Sequence, residues 1–388
     1  MRILLVTRCD PFSTSMYGGT EILAGNLSLE LANQGHDVHL VYAGKKLDEK
    51  FSRHANQHLH MLKLIEIPYF RALDFQYKCM KLCIDLIDTY CVDVMIVFGA
   101  GSFPGYLFNK IKRINTSWPL LVFYAMDSMK MEYLRSKISE QNIFQAFKKW
   151  LWYKSLIRSD ISSCKNSDLI LASSKDTLNH LILDYNISPL KIRLLYEGIP
   201  DLFGNNIPVL DPEVPTFLHI GGGTRKGTEY FLKSLKLLND NFNIKCKAVI
   251  IRATKENINQ ANNLGITVEA YMHVSVAELK HHYASCTAFI SPSLSEGFCL
   301  PIIEAAMFSK PLVVTDVGSL PELVTNGENG FIVPVGDVDM LADKLYQLAV
   351  NKKLRNKLGK KARERAEKFT ISIMASNLLF AINTLVHA

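Results

Sequence analysis

The densest run of side chains able to do chemistry is Ser291 to Met307, SPSLSEGFCLPIIEAAM. It follows a short apolar run and puts Pro301 at the expected first helical position, where proline is best tolerated. Leu300 is then the expected N-cap, and leucine is a poor capping residue. The first amides of that helix lack a side-chain partner, so an incoming anion such as a phosphate can take them. Glu296 stands just before the helix and Glu304 one turn inside it, with seven residues between them. Two carboxylates beside a phosphate repel it unless they are aimed at hydroxyls, which suggests recognition of a sugar or ribose. Spacing alone equally allows a plain reading, with Glu304 a glutamate favoured by the helix dipole and Glu296 a turn residue. A glycine pair, Gly18-Gly19, precedes another helical pattern and would let the backbone approach a phosphate or an acceptor. A simple turn accounts for that pair equally well.

The elements that must position these residues follow from hydrophobic patterning. Short apolar runs alternate with helical patterns along the whole chain. The expected strands are 3–6, 38–41, 94–98, 120–123, 169–172 and 192–195, then 216–220, 247–251, 267–269, 288–290, 311–314 and 330–333. Near-continuous apolar strands separated by helices imply parallel sheets covered on both faces, and two such series imply two doubly wound α/β domains. Residues 198–215 hold four prolines and Gly204-Asn205-Asn206 without periodicity, which marks a linker. The expected division is 1–200, 201–370, and a final helix at 371–388 packing back on the first domain. Ligands of such folds sit at the carboxyl ends of strands, so strand-to-helix loops are the places to look.

Composition narrows the class. The chain has 388 residues, 48% hydrophobic, 20 Phe and 15 Tyr, too much burial potential for a disordered protein. Its 44 basic against 37 acidic side chains give +7, which is short of a nucleic-acid footprint. The eight cysteines form no C-x-x-C and suggest no metal site, so buried reduced thiols of a cytosolic protein are the preferred reading. No apolar window of about 18 residues predicts a transmembrane helix. The short apolar start, Ile3 to Val6, reads as a strand rather than a signal peptide.

Taken together, the frame E-G-F-x-L-P-x-x-E-A at 296–305, the downstream Gly318-Ser319-Leu320-Pro321-Glu322 and the Asn329-Gly330-Phe331 triplet resemble the retaining nucleotide-sugar glycosyltransferases of the GT-B fold, family 4. Gly18-Gly19-Thr20-Glu21, Ser167 to Ser174 and the loop Gly221-Gly222-Gly223-Thr224-Arg225-Lys226-Gly227 extend the likeness along the chain. The resemblance implies two Rossmann-like domains facing a cleft, with the acceptor held by the first and the donor by the second. It implies that Glu304 holds the donor ribose and that Glu296 contacts the transferred sugar. The amides of Gly297, Phe298, Cys299 and Leu300 would meet the sugar and distal phosphate. Gly222 and Lys226 belong to the phosphate loop, with Lys226 neutralising the leaving pyrophosphate. The family's arginine directly after the first glycine of that loop is missing, and Arg225 is its candidate substitute; a solvated loop charge is the alternative. A histidine usual beyond the strand at 120–123 is also missing, replaced by Met126 and followed by Asp127. Asp127 is therefore the candidate for binding a sugar hydroxyl, against the alternative of a helix N-cap.

The expected activity is metal-independent, retaining hexosyl transfer from a nucleoside-diphosphate sugar, UDP-sugar favoured, to a glycan or lipid-linked acceptor, without a cofactor or nucleic acid. Fixed cations and amides stabilise the charge built on the departing diphosphate. The alternatives are a sugar-nucleotide epimerase or phosphorylase on the same fold, or a catalytically weak sugar-nucleotide-binding protein. Residues 128–165 hold 8 basic and 3 acidic side chains, and 143–158 add two tryptophans and a tyrosine. That mixture suits a helix lying in an anionic membrane surface on the inner face of the cell membrane. It suits equally a long amphipathic helix packed on the sheet.

Overall fold

The structure is a computed structural model and describes residues 1–8, 10–11, 19–44, 54–64, 70–99, 118–127, 130, 143–200, 210–221 and 224–386. Chain contacts divide it into two compact units, Met1–Gly198 with Ile371–Ala388, and Ile199–Thr370. The first unit is built from β1 (Arg2–Val6), α1 (Gly19–Asn33), β2 (Asp37–Ala43), β3 (Gln57–Leu62), α2 (Phe70–Tyr90), β4 (Val94–Phe98), β5 (Leu120–Ala125), α3 (Ile143–Asn166), β6 (Leu169–Ala172), α4 (Lys175–Tyr185) and β7 (Ile192–Leu194). The second unit runs β8 (Thr216–Ile220), α5 (Thr228–Phe242), β9 (Lys247–Ile251), α6 (Lys255–Asn263), β10 (Thr267–Tyr271), α7 (Val276–Ser285), β11 (Ala288–Ser291), α8 (Leu300–Met307), β12 (Leu312–Thr315), α9 (Leu320–Leu323), β13 (Gly330–Val333), α10 (Val338–Val350) and α11 (Lys352–Ala366). The last helix, α12 (Ile371–Val386), returns to the first unit.

Both sheets are parallel. The first has the order β3-β2-β1-β4-β5-β6-β7 and the second β10-β9-β8-β11-β12-β13. In each, strand order reverses beside the unit's first strand, between β1 and β4 and between β8 and β11. That reversal parts the flanking loops and leaves a crevice at the carboxyl ends of the two strands. The strands are apolar throughout because helices cover both faces: alternate residues Leu4, Val6, Met95 and Val97 fall in one core, Ile3, Leu5, Val94 and Ile96 in another. Met374, Ala375, Leu378 and Ile382 of α12 are buried in the second of these cores.

Most strand expectations match within one or two residues, and β3 is the strand that patterning misses. Its sequence, Gln57-His58-Leu59-His60-Met61-Leu62, is polar and mostly half-exposed, because among the described residues it pairs on one side only, with β2. An edge strand needs little apolar surface, so it carries no continuous apolar signal. Of the basic aromatic stretch, the described part of α3 from Tyr153 onward turns Tyr153, Leu156, Asp160 and Cys164 inward, and Ile157 and Ile161 pack on the core. The Tyr185 hydroxyl donates to Asp160 at 2.6 Å. Trp150 is more exposed, with the Lys154 ammonium 4.5 Å from its ring centre. Among the described residues, no helix is long and apolar enough to cross a membrane.

Candidate active site of the second unit

The site forms where the loops after β8 and β11 meet. The β8 loop ends in a single 3-10 turn, Thr224–Lys226, and the β11 loop delivers Glu296 beside it. Lys226 donates from Nζ to Glu296 Oε1 at 2.7 Å, and the Ser293 hydroxyl donates to the same oxygen at 2.7 Å. Arg225 Nη1 lies 3.7 Å from Oε2 and donates to the Ser295 carbonyl at 3.3 Å. The Leu294 amide donates to the Arg225 carbonyl at 2.8 Å, so the two loops are joined through backbone as well. Glu296 is buried. Burial by itself would push its carboxyl up, but the Lys226 and Arg225 charges, with the hydrogen bonds from Lys226 and Ser293, hold it below the ordinary value. It is an ionised, doubly countered carboxylate, and two cations against one anion leave the cluster net positive.

Two glycines make this approach sterically feasible. Gly227 has φ +69°, and a Cβ there would lie 1.9 Å from the Pro292 carbonyl oxygen. Gly318 has φ +54°, and its Cβ would lie 1.8 Å from the Glu296 carbonyl oxygen. Both positions need the left-handed conformation and the missing side chain together. Beneath the loops, His219 of β8 is buried, with Nδ1 2.9 Å from the Ile290 carbonyl and Nε2 3.0 Å from Thr228 Oγ1. Desolvation drops its pKa to about 4, so it is a neutral strut between β8, β11 and the start of α5.

Helix α8 starts at Leu300 with Cys299 as N-cap, one residue earlier than expected, so Pro301 sits inside the first turn. The physical point survives the shift, because Cys299 makes no side-chain capping bond. Burial first, then the nearby Glu296 charge, raises the Cys299 thiol to about 12 and keeps it protonated, unfit as a nucleophile. Gly297 and Phe298 are half-buried, and Phe298 packs on Phe369 with ring centres 6.2 Å apart. Glu304 lies beyond the first turn of α8 and is half-buried, and the Tyr283 hydroxyl donates to its Oε2 at 2.7 Å. Burial pushes its carboxyl up against the opposing pull of that hydrogen bond and of Arg252.

The structure therefore brings Arg225, Lys226 and Glu296 together and sets Glu304 on the following helix. Gly222 and Gly18 lie outside the described residues, and Gly19 is the first residue of α1. Asp127 belongs to the first unit, two residues past β5, where the Ser173 hydroxyl donates to the Met126 carbonyl at 2.8 Å and Met126 packs at the margin of the core. Ser293, His219 and Gly318 were not singled out from sequence as parts of the site. A serine three residues before a glutamate and a histidine inside an apolar strand carry no signal of their own. Gly318 belongs to the Gly318–Glu322 segment of the motif, but the 1.8 Å clash that a Cβ there would make with the Glu296 carbonyl oxygen is set only by the fold.

Comparison with known proteins bears on this geometry. The model of glycosyltransferase family 4 matches residues 17–201, and that of glycosyl transferases group 1 matches 206–365, which contains the whole cluster. The chain belongs to this glycosyltransferase family. It is an enzyme of the transferase class with the GT-B fold. The glycosyltransferase is 29% identical over 303 residues to an uncharacterized glycosyltransferase of Methanocaldococcus jannaschii, covering 78% of each chain. Over 167 residues it is 30% identical to the capsular polysaccharide biosynthesis glycosyltransferase CapM of Staphylococcus aureus, covering 41% of this chain and 43% of CapM. The solved structure of HepE of Anabaena in complex with UDP and glucose superposes with a TM-score of 0.72 at 14% identity, covering 99% of this glycosyltransferase and 100% of HepE.

Proposed function

We propose that this glycosyltransferase moves a hexose-type sugar, with retention, from a nucleoside-diphosphate sugar to a glycan or lipid-linked acceptor in the synthesis of cell-surface polysaccharide or glycolipid. The observation that carries the reading is the Arg225–Glu296–Lys226 cluster at the β8–β11 strand reversal, net positive and next to a helix start without a capping side chain. A diphosphate leaving group develops negative charge as the glycosidic bond breaks, and fixed cations and amides stabilise it without reorganising. Lys226 and Arg225 serve that charge from the carboxyl end of β8, held in place by Glu296. Among the described residues Oε1 of Glu304 has no hydrogen-bond partner, so it accepts from a ribose hydroxyl while Tyr283 fixes the other oxygen. Glu296 takes a hydroxyl of the transferred sugar.

In this reading the cations do the charge stabilisation and no metal takes part. The UDP bound in HepE and the capsular role in CapM's name support a uridine donor and a polysaccharide acceptor. Asp127 binds a hydroxyl of the acceptor or of the donor sugar, and the glycine pair at 18–19 lets the backbone approach the donor phosphate or the acceptor. As the family resemblance implies for retention, the departing phosphate helps deprotonate the acceptor on the same face of the sugar, and the protein contributes positioning and electrostatics. The exposed part of α3, with Trp150 and Lys154, contacts an anionic membrane on its inner face when the acceptor is lipid-linked.

The test is titration of UDP-glucose and related donors into the protein, followed by a transfer assay with lipid and polysaccharide extracts. The reading expects saturable donor binding, UDP release and a glycoside product of unchanged anomeric configuration. Free epimerised sugar as the product, or no donor binding, overturns it.

A further inference from the structure

Away from the β8–β11 site, four side chains with metal-ligating capacity meet on one face of β2 and β3. The register pairs His39 with His58 and Val41 with His60, and side chains at paired positions of neighbouring strands share a face. Asp37, two residues before His39, joins that face. Its Oδ1 is 2.8 Å from His58 Nε2 and its Oδ2 is 4.0 Å from His39 Nε2. One ligand atom from each of Asp37, His39 and His58 can be chosen so that all three lie within 4.8 Å of one another. Tetrahedral zinc with bonds near 2.0–2.1 Å sets neighbouring ligand atoms about 3.3 Å apart, so two of the separations straddle what such an ion needs.

The decisive feature is His39. Its side chain is only 1% exposed, its Nδ1 contacts His60 Nε2 at 2.9 Å, and its Nε2 is buried without a hydrogen-bond partner. A buried polar atom left unpaired is costly, and native structures seldom tolerate one without a function. With Nδ1–H given to His60, Nε2 keeps its lone pair 4.0 Å from Asp37 Oδ2, as a ligating histidine does when a partner holds its other ring nitrogen, and the His58 ring stacks beside it with centres 4.7 Å apart. His58 and Asp37, whose side chains are 44% and 41% exposed, open the site to solvent.

We infer that Asp37, His39 and His58 form a binding site for a divalent transition-metal cation of the zinc class, with a water completing the coordination. Two imidazoles and a carboxylate select such an ion over the hard cations that prefer all-oxygen sites. Asp37 opens β2 and His58 is the second residue of β3, so the site lies toward the amino ends of the strands, opposite the end where doubly wound sheets hold substrates. The ion there clamps the edge strand β3 to β2. Sequence spacing could not show this: the two histidines stand 19 residues apart and only strand pairing brings them together.

Calorimetric titration of zinc chloride into the metal-stripped full chain, with thermal melting in parallel, tests the inference. A single saturable site and a higher melting temperature with zinc are expected. Asp37→Asn and His58→Ala, both at exposed positions, are expected to weaken zinc binding by at least about tenfold, since even indirect partners of metal ligands cost that much. Circular dichroism of the zinc-free variants confirms that each has folded. His273→Ala, at an exposed histidine elsewhere, should bind zinc like the unaltered chain. No saturable binding by the unaltered protein, or equal affinity in Asp37→Asn and His58→Ala, overturns it.

Discussion

Lys226 Nζ and Glu296 Oε1 lie 2.7 Å apart although 70 residues separate them, and Glu296 is almost fully withdrawn from water. Removing one partner of such a pair strands the other charge. Lys226→Met is expected to destabilise the second unit by an amount near the lower end of about 3–5 kcal/mol, because Arg225 and Ser293 still support the carboxylate. Adding Glu296→Leu should recover most of that loss while transfer stays depressed by about 10²–10³-fold in kcat. Urea unfolding and donor turnover measured on the same preparations separate the two effects. Recovery of activity together with stability would show that the pair is structural only.

Glu304 and Tyr283 give a prediction for donor binding. If Oε1 of Glu304 accepts a ribose hydroxyl, Glu304→Gln should weaken UDP affinity by roughly tenfold or more, the worth of a hydrogen bond to a charged group. Burial raises the Glu304 pKa, so protons compete with the donor at a higher pH than they would at an ordinary glutamate. UDP affinity of the unaltered protein should therefore decline as the solution is acidified toward the carboxylate range. In Glu304→Gln that part of the pH dependence should vanish, which isothermal titration at several pH values reads directly.

Acid stability follows from His219 and Glu296 in separate windows. His219 falls from 6.5 to about 4 on folding, so between those values the unfolded chain binds more protons and stability drops as pH falls. Glu296 is also depressed, so its contribution is present above the ordinary glutamate value and is lost only at lower pH, as pH falls through its folded value. His219→Gln should flatten the melting-temperature profile between pH 6.5 and 4 and leave the steeper fall at lower pH. An unchanged slope in the upper window would contradict the neutral, buried assignment of His219.

Gly227 and Gly265 share nearly the same backbone angle, φ +69° and +66°, but differ in surroundings. Nothing lies within 4 Å of a Cβ at Gly265, whereas one at Gly227 meets the Pro292 carbonyl oxygen at 1.9 Å. Gly265→Ala should cost about 1–2 kcal/mol, the left-handed penalty alone. Gly227→Ala should cost clearly more and also weaken donor binding, because the Pro292 carbonyl must move and the β11 loop carries Glu296. Equal losses in the two variants would show that the loop contact has slack.

The sequence determined the α/β class, the parallel sheets and the chemistry-bearing loops, because strands buried on both faces write themselves as apolar runs. It also placed Glu296, Glu304, Arg225 and Lys226 among the residues to watch, since the motif that holds them is contiguous within each loop. It left open whether Glu296 was an idle turn residue and Arg225 a solvated charge. Tertiary structure sets Glu296 against Lys226 with Arg225 3.7 Å away, because the reversal of strand order between β8 and β11 brings the two loops together. The same limit explains β3 and the Asp37–His39–His58 cluster: an edge strand carries little apolar pattern, and partners across paired strands have no fixed spacing along the chain. Local physics is legible in order along the sequence, while an ion pair, a steric conflict at a glycine or a set of ligands depends on which segments the fold makes neighbours.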